Sequence, residues 1–333
     1  MTTPHVTVFG AGSIGCYLGG RLIEGGAAVR LIGRPRIADD IARHGLALSQ
    51  FAEPVTTIEG VDYQTDEGAL AGARIVALCV KSQATPEAAR AIREHAPDAW
   101  VVSFQNGVSN LSVLREALPD QRISGCVVPF NVTSPGPGHF HRGTVGELLI
   151  GPNAPPVLMK ALELGGVAAR EVDDIEGHLW AKLLVNLNNA LNALSGGPLR
   201  DGLVQRGYRR VLVAMIEEGL RVADAEGVRV ATFNGRSPDA LLRLMRKPDW
   251  IYRIVMDRVV KIDRTARSSM LDDLELGRAP ELDHLQGEIV RRADAHGIEV
   301  PVNRAVMAAV RDAFAQRETP RLSGAQMNAA FLK

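Results

Sequence analysis

The tightest constraint on this chain lies in its first fifteen residues. Val6-Thr7-Val8-Phe9 is a short apolar run, and Gly10-Ala11-Gly12-Ser13-Ile14-Gly15 follows it directly. A GxGxxG that leaves a strand and opens a helix meets three demands that bulkier residues cannot. Gly10 permits the tight turn, Gly12 lets a ligand approach the backbone, and Gly15 lets the helix lie close to the sheet. The first helical turn, through Ser13, Ile14 and Gly15, then offers free N–H groups and the positive end of a dipole to an anion. This pattern reads as a pyrophosphate cradle; a structural Gly-rich turn is the alternative.

The first half continues in the same alternating style. Short apolar runs at Val29 to Ile32, Arg74 to Val80 and Trp100 to Phe104 predict strands, and Ile123 to Val132 is strand-like. Helical periods fall between them at Ile37 to His44, Pro86 to His95 and Asn110 to Ala117. The unbroken apolarity of RIVALCV marks a strand buried on both faces. GHFHRGTVGELLIGP predicts a hairpin, and Val157 to Ala168 and Ala169 to Val172 a last helix and strand. Beyond Gly177 the pattern changes to amphipathic helices near 177–194, 204–227, 238–246, 268–275, 281–297 and 301–316. The expectation is an α/β Rossmann-type N-terminal domain over 1–174, with a mostly parallel sheet, followed by an all-α C-terminal domain over 175–333.

Composition narrows the class of function. The 333 residues exceed one ordinary core and suit two domains. A hydrophobic share of 46% with 23% charged residues and zero formal net charge fits a globular protein without the basic footprint of a nucleic-acid or membrane-surface binder. No apolar run reaches the roughly 18 residues of a membrane span, and the N-terminus lacks a signal-peptide pattern. A cytoplasmic protein is expected. Cys16, Cys79 and Cys126 are far apart and read as apolar fillers, and no metal-ligand spacing is present.

Which dinucleotide is bound follows from the end of the second strand. An acidic residue there would accept from a ribose hydroxyl; this chain has Gly33-Arg34-Pro35-Arg36 instead. Arg34, with Arg36 in support, suits a 2′-phosphate and points to NADPH/NADP+, a solvated basic loop being the alternative. Lys81 ends the RIVALCV strand, and Asn106, in Gln105-Asn106-Gly107, ends the next. Both should face the crevice beyond the strand ends, although Asn-Gly alone also makes a plain turn.

In the second half, Trp180, Leu183, Leu184, Leu187, Leu191 and Leu194 form an apolar helix face. Lys182, Asn186 and Asn189 recur at i, i+4 and i+7 on another stripe. One cation among amides suits a held polar ligand better than a solvated surface; an amide-rich packing interface is the other reading. Glu281 and Asp283 open the helix after Pro280, where capping alone also explains them.

Taken together, GAGSIG, the Lys81 strand end, QNG at 105–107, WAKLLVN at 180–186, SSMLDDLELGR at 268–278 and PELDHLQGEIVRRADAHGIEVPVN at 280–303 resemble the ketopantoate reductase (2-dehydropantoate 2-reductase) family. The resemblance runs in order over nearly the whole chain. It implies NADPH-dependent reduction of 2-dehydropantoate to pantoate, toward pantothenate and coenzyme A. By position it makes Lys182 the catalytic lysine and Asn186 a substrate-binding asparagine. Ser269 and Glu281 would hold the carboxylate and hydroxyl ends of the substrate, Glu281 also favouring the ammonium form of Lys182. It places Asn106 near nicotinamide and substrate, Arg34 at the 2′-phosphate and Lys81 at the cofactor. One position departs: the family's second asparagine, eight residues after the lysine, is Ala190 here, with Asn189 next to it as a shifted source of the amide. The partner implied is a small 2-oxo acid, in a cleft that closes on ligand. Rival readings are a same-architecture reductase of another branched 2-oxo acid or an opine-type substrate, and a non-catalytic NADPH-sensing protein. A homodimer through the C-terminal helices is compatible with the pattern.

Overall fold

The computed structural model describes residues 6–51, 53–233, 235–255 and 266–332. The chain divides into two compact units, Met1–Ile175 and Glu176–Lys333. The first contains β1 (Val6–Phe9), α1 (Ser13–Glu24), β2 (Val29–Ile32), α2 (Pro35–His44), β3 (Leu46–Gln50), β4 (Thr56–Ile58), β5 (Asp62–Gln64) and β6 (Ile75–Leu78). It continues with α3 (Thr85–His95), β7 (Trp100–Ser103), α4 (Asn110–Ala117), β8 (Ile123–Val127), β9 (Val132–Gly136), β10 (His139–Arg142), β11 (Leu148–Ile150), α5 (Pro156–Leu164) and β12 (Ala169–Glu171).

Eight strands form one sheet in the order β12-β11-β8-β7-β6-β1-β2-β5. From β5 to β8 every neighbouring pair is parallel. β11 runs antiparallel to β8, and β12 parallel to β11. The strand order reverses between β1 and β6, so their carboxyl ends flank the switch point where open α/β sheets bind ligands.

Side-chain alternation distributes the core to both faces of this sheet. Val8, Leu31, Ile75, Ala77 and Val102 pack on one side with α1 and α5 residues such as Cys16, Leu18, Leu158 and Leu162. Phe9, Ile32, Val76, Leu78 and Val101 pack on the other with Ala88, Ala89 and Ile92 of α3 and Leu114 of α4. Burial on both faces is why these strands read as continuous apolar runs.

A second sheet, β4-β3-β10-β9, was not foreseen. Leu46 and Leu48 of β3 and Phe140 of β10 join the α1 side of the core. The expected hairpin lies one strand earlier than placed above. β10 pairs antiparallel with β9, through the turn at Pro137-Gly138, and parallel with β3, whereas β11 returns to the large sheet. α2 starts at Pro35, two residues before the apolar period, because proline suits a first helical turn whose N–H has no partner to lose.

The second unit is helical: α6 (Ile175–Asn186, its first residue at the join), α7 (Asn188–Ser195), α8 (Leu199–Leu203), α9 (Arg206–Ala225), α10 (Pro238–Met245), α11 (Asp249–Val255), α12 (Ser269–Glu275), α13 (Gln286–His296), α14 (Pro301–Gln316) and α15 (Gly324–Phe331). α9 is the central helix, touching α7, α8, α10, α13, α14 and α15. Its buried Glu218 carboxylate accepts from the Val302 and Asn303 N–H groups, each at 2.9 Å, and so caps α14. No helix among the described residues is long and apolar enough to cross a membrane.

Two expectations need correction. The helix expected over 177–194 is interrupted at Leu187, where the Gln286 side-chain amide donates to the Leu187 carbonyl at 3.1 Å. A side chain entering the helical hydrogen-bond ladder is a recognised cause of such breaks. Glu281 and Asp283 do not open a helix either. Glu281 precedes a single 3₁₀ turn, Leu282–His284, without a side-chain capping bond, and α13 begins only at Gln286.

Candidate active site

In the first unit the foreseen cofactor residues gather at the carboxyl ends of β1, β2, β6 and β7. The three glycines are required for three different reasons. Gly10 has φ +92°, and a Cβ there would meet the Val80 nitrogen at 2.4 Å. At Gly15 a Cβ would meet the Gly10 carbonyl oxygen at 2.8 Å and Val8 Cγ1 at 3.1 Å, so helix and sheet approach closely. At Gly12 the nearest atom is 4.0 Å away, leaving space above the backbone open. α1 has no side-chain cap and no acidic residue in its first turn. Its first N–H groups, at Ser13, Ile14 and Gly15, lie beyond the helical ladder, so the turn fits a pyrophosphate. Gly12→Val should therefore keep the melting temperature while weakening dinucleotide binding by about tenfold or more, because bulk is added only where the ligand would sit. Isothermal titration with nicotinamide dinucleotides beside a melting curve tests this, and an unchanged affinity would refute the cradle.

Arg34 immediately precedes α2 and is exposed. Arg36, expected to support it, is engaged on its own helix with Asp40 at 3.0 Å. Tyr63, in the middle of β5, was missed: its hydroxyl donates to the Ala11 carbonyl at 2.9 Å and accepts the Arg34 backbone N–H. It thereby ties the glycine turn to the arginine loop, and burial pushes its phenol up. Only a single aromatic in a polar strand marked it in the sequence.

Lys81 follows β6 and is exposed, as is Asn106 after β7. Between them lies a hydrogen-bonded chain that was also missed. Gln105 donates to the Val80 carbonyl at 3.0 Å and to Thr85 Oγ1 at 2.7 Å. Thr85 donates to Asn110 Oδ1 at 2.9 Å, and Asn110 Nδ2 donates to the Asn106 carbonyl at 2.6 Å and to Ser82 Oγ at 3.0 Å. Gln105 and Asn110 thus fix the loop by their side chains, while the Asn106 side chain has no such bond among the described residues. Burial raises the thiols of Cys16, Cys79 and Cys126 well above the usual range, Cys79 to about 12, which keeps them protonated at neutral pH.

In the second unit Lys182, Asn186 and Asn189 share one stripe across the α6–α7 break, each half-buried. Leu187 keeps right-handed helical angles, so the break does not scatter them. The remaining asparagines of this stretch are structural. Asn188 accepts from the Tyr208 hydroxyl at 2.7 Å, and Asn192 bridges Gly197 and Ser268. Asn186 and Asn189 make no side-chain hydrogen bond among the described residues. Ala190 is fully buried.

The Lys182 side chain makes no ion pair or hydrogen bond among the described residues. Desolvation by the atoms packed around it pushes its ammonium down from 10.5 to about 8. The expected help from Glu281 is not seen. No bond joins the two residues among the described ones, and burial is the sole cause of the shift. Ser269 is the exposed first residue of α12, directly after the buried Ser268. Glu281 is half-buried before its 3₁₀ turn.

Comparison with known proteins identifies the family. Two family models match in order, Ketopantoate reductase PanE/ApbA over residues 6–155 and its C-terminal counterpart over 174–313. A 2-dehydropantoate 2-reductase of Halobacterium salinarum is 32% identical over 330 residues, covering 94% of this chain and 99% of that protein. The crystal structure of a PanE/ApbA family ketopantoate reductase from Ralstonia eutropha JMP134 has a TM-score of 0.80 at 36% identity, covering 94% of this chain and 99% of the other. A D-mandelate dehydrogenase with NADH and anilino(oxo)acetate shares the fold, with a TM-score of 0.76 at 17% identity over 94% and 99% of the two chains. With both halves matched in order by the family's two models and a relative 32% identical over 94% of the chain, the chain belongs to the ketopantoate reductase PanE/ApbA family.

Proposed function

We propose that this chain reduces 2-dehydropantoate to pantoate with NADPH, toward pantothenate and coenzyme A, with Lys182 as general acid. The observation that carries the reading is the Lys182 stripe: a desolvated ammonium without a protein partner among the described residues, followed by two unengaged amides. When bound, NADPH supplies the hydride that the keto carbon takes up. Negative charge then gathers on the carbonyl oxygen, where Lys182 donates a hydrogen bond and then its proton. An ammonium lowered to about 8 gives up that proton more readily than an exposed lysine, yet stays charged at neutral pH. Asn186, Asn189 and Asn106 offer amide groups that fix the acid's orientation, and positioning of this kind lowers the barrier further. Ser269 donates to the carboxylate, and Glu281 accepts from the substrate hydroxyl.

Preference for NADPH rests on Arg34, which has no ion-pair partner among the described residues and no carboxylate beside it at the end of β2. Arg34→Ala should weaken NADPH binding about ten- to a hundredfold and leave NADH nearly unchanged, since a hydrogen bond to a charged group contributes about 1.5–3 kcal/mol. Equal losses for both dinucleotides would remove Arg34 from the 2′-phosphate.

Buried Ala190, standing where the resemblance places an asparagine, supports a second reading: the same chemistry on another branched 2-oxo acid. Following NADPH absorbance across a panel of 2-oxo acids separates the two. Turnover selective for 2-dehydropantoate upholds the first reading, and selective turnover of another acid the second. NADPH binding without turnover would leave the cofactor-sensing protein.

A further inference from the structure

Asn192 is fully buried and lies outside the positions that the family resemblance assigns to chemistry. Its Nδ2 donates to the Gly197 carbonyl at 2.8 Å, and its Oδ1 accepts the Ser268 N–H at 2.9 Å. Ser268 is held a second time, because its hydroxyl donates to the Asn189 carbonyl at 3.3 Å. The same Oγ accepts the Leu271 N–H at 3.2 Å and so caps α12. Ser268 therefore has its backbone donor fixed by the side chain of Asn192 and its hydroxyl fixed by the backbone of Asn189. Ser269 follows one peptide bond later, with no side-chain hydrogen bond among the described residues. Its placement is inherited from Ser268.

The chemistry of the bridge restricts what can stand at 192. One short planar group must present a donor toward α7's own exit at Gly197 and an acceptor toward the start of α12. Alanine supplies neither group, and a carboxylate supplies only the acceptor.

We propose that Asn192 is a positioning residue that sets Ser269 against the Lys182–Asn186–Asn189 stripe, so that the serine meets the acid end of the substrate. The proposal rests on the reading above in which Ser269 touches substrate.

A double-mutant cycle with N192A, S269A and the pair, assayed with 2-dehydropantoate at saturating NADPH, tests it. S269A should raise KM about tenfold, the scale of one hydrogen bond to a charged group. N192A should raise KM comparably, with kcat and NADPH affinity nearly unchanged, and the pair should be little worse than either single variant. If S269A multiplies the N192A loss by its full wild-type factor, or if N192A leaves KM unchanged, Asn192 serves stability alone and the proposal fails. An unchanged KM in S269A removes the reading of Ser269 instead, and the proposal with it. Circular dichroism and an NADPH titration of N192A separate misfolding from positioning, since a misfolded variant loses both. A native spectrum and NADPH affinity with a raised KM is the expected result, and the same two readouts with an unchanged KM would overturn the assignment to the Ser268 bond.

Discussion

Lys182→Ala is expected to lower kcat by about two to four orders of magnitude while leaving NADPH affinity nearly intact, the usual scale for a general acid. The expectation follows from separation of roles. The proposed dinucleotide cradle comprises Gly10, Gly12 and the start of α1 in the first unit, whereas Lys182 belongs to a helix of the second. Its ammonium has no partner among the described residues, so its removal breaks no side-chain bond among them. Near-wild-type kcat in this variant would eliminate Lys182 as the acid.

The same residue should also carry a stability cost. Desolvation lowers the folded-state pKa to about 8 from 10.5, so between these values the unfolded chain holds more protons than the folded one. Stability contributed at this position therefore rises as pH climbs through that window, and below it the desolvated ammonium is destabilising. Lys182→Met, apolar and of similar length, should raise the melting temperature by a few degrees at neutral pH while abolishing turnover. A lower melting temperature would mean that the ammonium is well solvated, contrary to the burial described.

The second large effect concerns the fold. Arg209 of α9 is fully buried. Its guanidinium donates to the Met245 carbonyl at 2.8 Å, the Leu203 carbonyl at 2.9 Å and both the Lys247 carbonyl and Asp249 Oδ1 at 2.8 Å. It also lies 4.2 Å from the ring centre of Tyr252. One side chain thus satisfies the carboxyl ends of α8 and α10 and the start of α11. Arg209→Met should destabilise the protein by about 3–5 kcal/mol, because the methionine fills the volume but leaves buried carbonyls without donors. Urea unfolding followed by circular dichroism measures this, and a loss below about 1 kcal/mol would show that the carbonyls find other donors. Asp249→Asn should cost far less, since that carboxylate is 46% exposed and water replaces the bond.

Legibility of the sequence follows the range of the interactions. The parallel strands, the glycine turn and most long helices could be read from local periodicity, because each is governed by neighbours within a turn or a pleat. The small sheet of β3, β4, β9 and β10 could not: its strands span three to five residues and two of them are largely exposed, so little apolar alternation marks them. The break at Leu187 is made by Gln286, 99 residues away, and no local pattern announces it. The asparagine-rich stretch shows the same limit at the site. Spacing identified the stripe of Lys182, Asn186 and Asn189, but only Tyr208, Gly197 and Ser268 reveal that Asn188 and Asn192 are already engaged. Nor does the sequence show that Arg36 pairs with Asp40 on its own helix while its side chain stays largely exposed.

The most direct test of the central claim is the pH profile of kcat/KM for 2-dehydropantoate at saturating NADPH, the quantity that reports the titration of groups before substrate binds. A lysine acid lowered to about 8 predicts a plateau at neutral pH and a decline above it, with an apparent pKa near that value in the wild type. The decline should be absent from the residual rate of Lys182→Ala. A wild-type profile that stays flat through pH 8, or the same decline in the alanine variant, would contradict the assignment of Lys182 as the proton donor.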